Sequence, residues 1–451
     1  MFLHRKMYFC RIKKKTGHKL ATAMIMKKKW LIRLILLLLT WFVNGHITAQ
    51  FTATGVYKSY YKKYIGIDYL FVFNGINTST AIVYNGTGYG SIKWYKFDNQ
   101  TTPIVLQNAN ENYNIEDATG YVVDIDGVKT TIWVLDYQKY LPQFGNLTVS
   151  ALQPSECSQL LLTLQATVPE MSYKTTSGVT RKINRFFELS YHTMEWTNAK
   201  WTDKTITSEV ILPSSQIVVN ESPLKDTRFT LKGDQFAADL NLEATQIVSS
   251  TYSAVRTECH ILSVATVRSE LNEAERPDKP EVTVASGPLE MLFSGNANSP
   301  VSEFSYWEVF KDNSLLVTRT DDNLRYNFEE SGTYKIRLRV SNRFCSFTDS
   351  LVVQIVTSQI QVPPAFTPNG DGKNDEFRVA YKSIGEFRCW IFNRWQQQVF
   401  YFDNPQNGWD GRIDGKPATT GTYYYVIEAV GTDGVKHARK GHFSLLRGVK
   451  E

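Results

Sequence analysis

Turn dipeptides break this chain into short segments, and almost none of it carries the spacing that a long helix needs. Asn74-Gly75, Asn85-Gly86 and Asp126-Gly127 punctuate YLFVFNG at 69–75, TAIVYNGTG at 80–88, SIKWYKFDN at 91–99, GYVVDIDG at 120–127 and TTIWVLDY at 130–137. Asn, Asp and Gly tolerate positive φ, so such pairs close tight hairpins, and the β-branched and aromatic segments between them read as strands. The expected fold class is therefore all-β. A length of 451 residues exceeds one ordinary domain and predicts several β-sandwiches in tandem.

The amino-terminal segment bears on compartment. WLIRLILLLLTWFV at 30–43 follows Lys27, Lys28 and Lys29. That run is too short to span about 30 Å of hydrocarbon as a helix and reads as the apolar core of a signal peptide. Ala49 precedes the expected cut before Gln50, giving a leader over 1–49. Starting at Met26 yields an ordinary leader, so 1–25 read as lying upstream of the true start. The competing reading is an uncleaved anchor. The leader holds eleven of the 50 Lys and Arg residues and no acid, and its removal leaves 39 bases against 44 acids. A general electrostatic case for nucleic acid disappears with it.

Cys157, Cys259, Cys345 and Cys389 follow the leader, which itself contains Cys10. Four cysteines allow three complete pairings. Cys157 and Cys259 bracket one domain and form the favoured pair, with Cys345 and Cys389 as buried free thiols the alternative to a second bridge. His192, His260, His437 and His442 lie far apart, no CxxC occurs, and the pattern points away from zinc.

Domains are expected over 50–150, 151–275, 276–357 and 358–451. The second starts at Cys157 and contains NRFFELSYHTMEW at 184–196, where Phe187, Leu189 and Tyr191 share one strand face. RSELNEAERPDKP at 268–280 is charged and ends in proline, as linkers do, and 358–364 reads likewise. Trp94, Trp307 and Trp409 are expected as buried framework. Trp94, Tyr95 and Trp133 have a second reading as a sugar platform.

Two stretches carry family resemblances. YNFEESGTYKIRLRVSN at 326–342, followed by TDS and LVVQIV, resembles a PKD-like (polycystic kidney disease type) immunoglobulin-like domain, with Tyr334, Ile336, Leu338 and Val340 on the buried face and Trp307 in the core. Lys311-Asp312-Asn313 stands where that family usually has Gly-Asp-Gly. VPPAFTPNGDGKNDEF, WIFNRWQQQVFYFDN, GWDGRIDGKPATTGTYYYVIEAV and KGHFSLLR occur in order over 362–447. This array closely resembles the gliding-motility-associated C-terminal domain, the type B sorting domain of cargo exported by type IX secretion. The resemblance completes the expected architecture as tandem immunoglobulin-like sandwiches ending in a small β-sandwich sorting domain. It also implies that Asn393, Arg394, Trp395, Trp409, Asp410, Gly411, Lys440 and Gly441 define the sorting motif, with Gln396 standing where the family usually has Gly.

Asn369, Asp371, Asn374 and Asp375 place four oxygen-bearing side chains within seven residues. They read as Asx turns closing a loop, with a calcium loop as the minority reading; the twelfth-position Glu of an EF-hand is missing. GxSxG, phosphate-loop and dinucleotide motifs are absent. Acids such as Glu188 and Glu195 can be imagined as a glycosidase pair, but strand spacing places carboxylates everywhere in a β protein. The reading is thus a non-enzymatic, adhesin-like structural protein, secreted or held at the outer surface by way of the periplasm. Its expected partners are the type IX machinery and a surface ligand, glycan or protein. The alternatives are a carbohydrate-binding accessory protein and a component of the gliding or secretion apparatus.

Overall fold

The computed structural model describes residues 50–150 and 157–447; the leader at 1–49 lies outside them. Nearly every element is a strand, and the helical pieces are short, a 3-10 turn at Tyr137–Tyr140 and a helix at Gln235–Asp239. The chain divides into two compact units, the first made of residues up to Leu141 together with Val168–Arg185 and Gln235–Glu243.

In the first unit a five-stranded sheet runs in the order Tyr57–Tyr61, Tyr69–Phe73, Val128–Asp136, Thr119–Ile125, Ile92–Lys96. Tyr69–Phe73 and Val128–Asp136 pair in parallel. Phe51, Tyr69, Phe71, Phe73, Trp94 and Tyr121 belong to its core. All five residues of Tyr69–Phe73 are buried, so both sheet faces are covered. Phe236 of the short helix packs on Tyr60 and Tyr137 on the second face. The hairpin Ser172–Lys174 and Thr180–Lys182 is the other late-sequence element of this unit.

The second unit begins with two small sheets, one ordered Gln216–Val219, Leu160–Thr167, Gln143–Val149 and the other built around Arg185–Thr197. Phe187, Leu189 and Tyr191 are buried on the face that their alternation predicts. Glu188 and Glu195 occur on that same strand at positions of opposite parity. They therefore face opposite ways and lie about 23 Å apart along it, far beyond the 5–10 Å of a glycosidase pair. Glu195 is instead ion-paired to Lys204 at 2.7 Å.

A sandwich follows, with one sheet ordered Val284–Ala285, Ser346–Ile355, Gly332–Ser341, Phe304–Lys311, Ser314–Arg319. The other is ordered Leu262–Ala265, Leu289–Ser294, Asn323–Phe328. Trp307, Ile336, Leu338 and Val340 are wholly buried and Tyr334 nearly so. Where Gly-Asp-Gly was expected, Asp312 and Asn313 both take left-handed φ, 49° and 69°, and close the hairpin without glycine.

Two expectations are corrected. Cys157 is bonded to Cys345, with Cα atoms 5.6 Å apart, and not to Cys259. Cys259 is fully buried in the core of the sandwich at 284–355, out of a partner's reach, and burial pushes its thiol up to about 12. Cys345 sits at a turn whose N–H groups are held by Asn342 Oδ1, while Cys389 is a buried free thiol as expected. The charged segment 268–280 is not a loose linker. Arg268 pairs at 2.6 Å with Glu273, whose side chain is 3% exposed, and donates to the carbonyl of Ser286. Asn272 and Ala274 exchange main-chain bonds with Tyr381, and Asn272 Nδ2 reaches the carbonyls of Val379 and Pro405. The charges that looked solvated are needed to satisfy a buried strap between the sandwich and the C-terminal module. The other presumed linker also holds a strand, Gln359–Gln361, paired with Ala380–Lys382.

Candidate functional site

The C-terminal module places a five-stranded sheet in the order Ala365–Phe366, Lys436–Leu445, Gly421–Gly431, Ile384–Phe392, Gln398–Phe402. Its core stacks Phe377 on Phe443 at 3.8 Å between centroids, with Phe366 and Tyr423 around Trp409. Trp94, Trp307 and Trp409 are all buried framework, each with its indole N–H on a main-chain carbonyl at 3.0, 3.0 and 2.8 Å.

The WDG turn works from the inside. Asp410 Oδ1 accepts the N–H of Arg412, and Gly411 has φ of 75°. A Cβ at 411 would stand 3.2 Å from Leu445, Phe366 and Pro368. The Gly411 carbonyl also takes a bond from Arg447, which ties the turn to the end of the last strand. Gly441 lies opposite Tyr425 on that strand, where a Cβ would meet the tyrosine hydroxyl at 2.6 Å, and Lys440 beside it is exposed.

The NRW segment works from the outside. It forms the tip between Ile384–Phe392 and Gln398–Phe402. Asn393 Oδ1 accepts the N–H groups of Trp395 and Gln397, which fixes the loop. Gln396 adopts φ of 63°, the conformation that a glycine at this place would take freely. Arg394 lies over the Trp395 ring at 4.2 Å, and that ring is 64% exposed. The cation thus covers one face of a large aromatic ring that otherwise stands in water.

The loop 367–375 draws Asn369, Asp371 and Asp375 together. Asp375 Oδ1 accepts the N–H of Asn369 and of Gly370, and Oδ2 that of Gly372, at 2.7–2.9 Å. The Gly370 bond leads in holding the Asp375 carboxyl below its ordinary value. Asp371 Oδ1 takes the Lys373 N–H, while Asn374 contributes its carbonyl to Thr367 N–H. These are the bonds of Asx closure. Among the described residues no cluster of three or more His, Cys, Asp or Glu side chains is arranged to hold a metal.

Residues 360–445 match the CHU_C type IX secretion signal domain. The module is a type IX secretion signal domain. Its presence means that the chain is handled by the type IX machinery and exported to the cell surface or secreted. Residues 149–249 match a fibronectin type III domain. The chain is also similar to the solved immunoglobulin domains 1–5 of Sidekick-1, at 12% identity over 81% of this chain and 75% of that one, with a TM-score of 0.25. A bacterial ice-binding adhesin structure described for host cell surface retention matches at 10% identity over 69% and 99%, with a TM-score of 0.19. A Ca2+-stabilised adhesin of an Antarctic bacterium matches at 11% over 84% and 96%, with a TM-score of 0.19. No match is found among the curated proteins. The matched domains are not known enzyme folds, and among the described residues no helix is long and apolar enough to cross a membrane.

Sequence reasoning missed an internal echo. Ser331-Gly332-Thr333-Tyr334 and Thr420-Gly421-Thr422-Tyr423 open equivalent strands, with glycine φ of 145° and 148°. Each tyrosine hydroxyl donates to the carbonyl four residues upstream, Glu330 and Thr419, at 2.9 Å. The repeated GTY was the signal that reveals it.

Proposed function

We propose that this protein is an adhesin-like array of β-sandwiches displayed at the outer surface, whose signal domain is read through the exposed Arg394–Trp395 tip. The observation that carries the reading is the contrast between two tryptophans of one module. Trp409 is wholly buried and Trp395 is 64% exposed. A recognition residue must meet its receptor without unfolding the carrier, and only the second can. The upstream sandwiches supply reach and binding surface, and the signal domain at 358–451 is the last of them. The leader at 1–49 supplies the first export step.

The test is export in the producing bacterium, scored by protease accessibility on intact cells. Residues 358–451, fused to a soluble periplasmic passenger, are expected to bring it to the surface. Fusion of 255–451, which retains the strap and the strand Leu262–Ala265 of the adjoining sandwich, serves as the control. Trp395→Ala in the whole protein should cut surface display about tenfold, as loss of an exposed hot-spot ring does, with no change in melting temperature. Normal display of Trp395→Ala rejects the tip as the recognised element; failure of both fusions rejects a self-sufficient address.

A further inference from the structure

The strand Phe304–Lys311 is apolar on both faces, and only one of them is covered. Trp307 and Val309 point into the core of their sandwich. Phe304, Tyr306 and Phe310 alternate with them and point outward, where Phe304 is 62% exposed. A strand apolar on both faces is expected where both are covered, and an outward aromatic row left exposed marks a binding surface. Leu315 and Val352, both exposed, stand level with Phe310 on the same face and widen the row.

The cross-strand register sets bases against those rings. Tyr306, Arg339 and Thr348 stand opposite one another, then Glu308, Arg337 and Ser350, then Phe310, Lys335 and Val352. The Arg339 guanidinium lies 5.2 Å from the centre of the Tyr306 ring, and that of Arg337 lies 4.8 Å from the centre of the Phe310 ring. Such stacking holds a guanidinium in place and leaves N–H groups at its edge for an anion. Glu308 is the one acid among the outward positions of the strands 304–311, 332–341 and 346–355, and it is already engaged. Arg337 donates to it from Nε at 2.7 Å and by that bond holds its carboxyl below the ordinary value. Lys335 and Arg339 have no ion-pair partner among the described residues. Composition does not force this local excess of bases, because residues 50–451 carry 39 bases against 44 acids.

We infer that this sheet face binds a linear polysaccharide bearing carboxylates. Residues 335, 337 and 339 lie in one line along a strand, about 7 Å apart and about 14 Å from end to end. An extended polyanion laid along that line meets a base at each step, and the exposed hydroxyls of Thr348 and Ser350 on the next strand face those of the sugar. The line is one strand wide, far short of the roughly 800 Å² per side that a stable protein partner needs. A second copy of this chain, docked face to face, would set the three bases against themselves. The inference rests on the surface-binding reading and gives it a ligand class. It is measured on purified protein, so it can fail while the export assay succeeds.

The experiment titrates the exported chain with polygalacturonate, a carboxylated sugar polymer, in a calorimeter at low salt. Dextran serves as the neutral polymer and polyglutamate of matched length as the acidic peptide. Saturable binding is expected with polygalacturonate, weakening as salt is raised, and none with dextran. Lys335→Ala combined with Arg339→Ala removes two exposed bases and should weaken binding by about tenfold or more at an unchanged melting temperature. If that variant melts lower, Lys335→Ala alone decides, with an expected loss of about threefold. Lys129→Ala, at an exposed base of the first compact unit, should bind as the parent does. No saturable binding to polygalacturonate overturns the proposal. So does equal binding of dextran, tighter binding of polyglutamate, affinity that loss of Lys335 and Arg339 leaves unchanged, or an equal loss in Lys129→Ala.

Discussion

The sandwich at 284–355 and the secretion signal domain are built on one frame and differ in what they show to the outside. Each has a five-stranded sheet in which a short first strand pairs in parallel with the last. Each opens its central strand with Gly-Thr-Tyr and locks it with a tyrosine hydroxyl on an upstream carbonyl. Yet one hairpin ends in the bare two-residue turn Asp312-Asn313, and the other in a five-residue loop that holds Arg394 over Trp395. On the proposed reading the frame stabilises and the loop addresses. The visible difference between the two lies in a few exposed side chains on similar scaffolding.

The most severe test of this comparison removes the core rings. Trp409→Ala and Trp307→Ala should each cost about 3–5 kcal/mol in their own sandwich, measured by denaturant unfolding. Trp409→Ala should abolish surface display, and Trp307→Ala should leave the address working. Equal loss of display from both would mean that the strap 268–280 makes the two frames one cooperative body.

The disulfide separates the frames next. Cys157–Cys345 closes a separation of 188 residues and is attached to the first frame only. Chain entropy gives about 5 kcal/mol for such a loop, and removal of native bridges typically costs 2–5 kcal/mol. Cys345→Ser should lower the melting temperature and remove its dependence on reductant. Cys389→Ser, at a thiol that burial pushes up to about 12, should keep the dependence of the parent protein.

Smaller effects probe the shared lock. Tyr334→Phe and Tyr423→Phe should each lose about 1 kcal/mol, the net worth of one hydrogen bond. Markedly unequal losses, read from thermal melts, would deny that the two corners are equivalent. Smallest is Gln396→Gly, expected to gain up to about 1 kcal/mol by relieving a left-handed residue, partly offset by a freer unfolded chain. Because the tip keeps Arg394 and Trp395, display should be unchanged.

Much of the fold was legible because its signals are local. Alternation placed Phe187, Leu189 and Tyr191, and again Tyr334, Ile336, Leu338 and Val340, on buried faces, whereas the hairpin that Asp312-Asn313 closes without glycine came from the structure. The sorting motif was legible as a string and Trp409 was placed in the core from sequence, but the exposure of Trp395 was not read. Both residues follow turn-forming neighbours, and the local pattern around Trp395 does not say that its ring stays outside.

Strand identity, turn positions and the presence of an export address were thus determined by the sequence itself, since each depends on residues within a few positions of one another. Only the tertiary structure decided that Cys157 meets Cys345, that 268–280 is a strap, and that the hairpin at 172–182 belongs with the first compact unit. These depend on which distant surfaces meet. Pairing over more than a hundred residues is set by the packing of whole sheets, and a short-range pattern of hydrophobicity and turns carries no record of it.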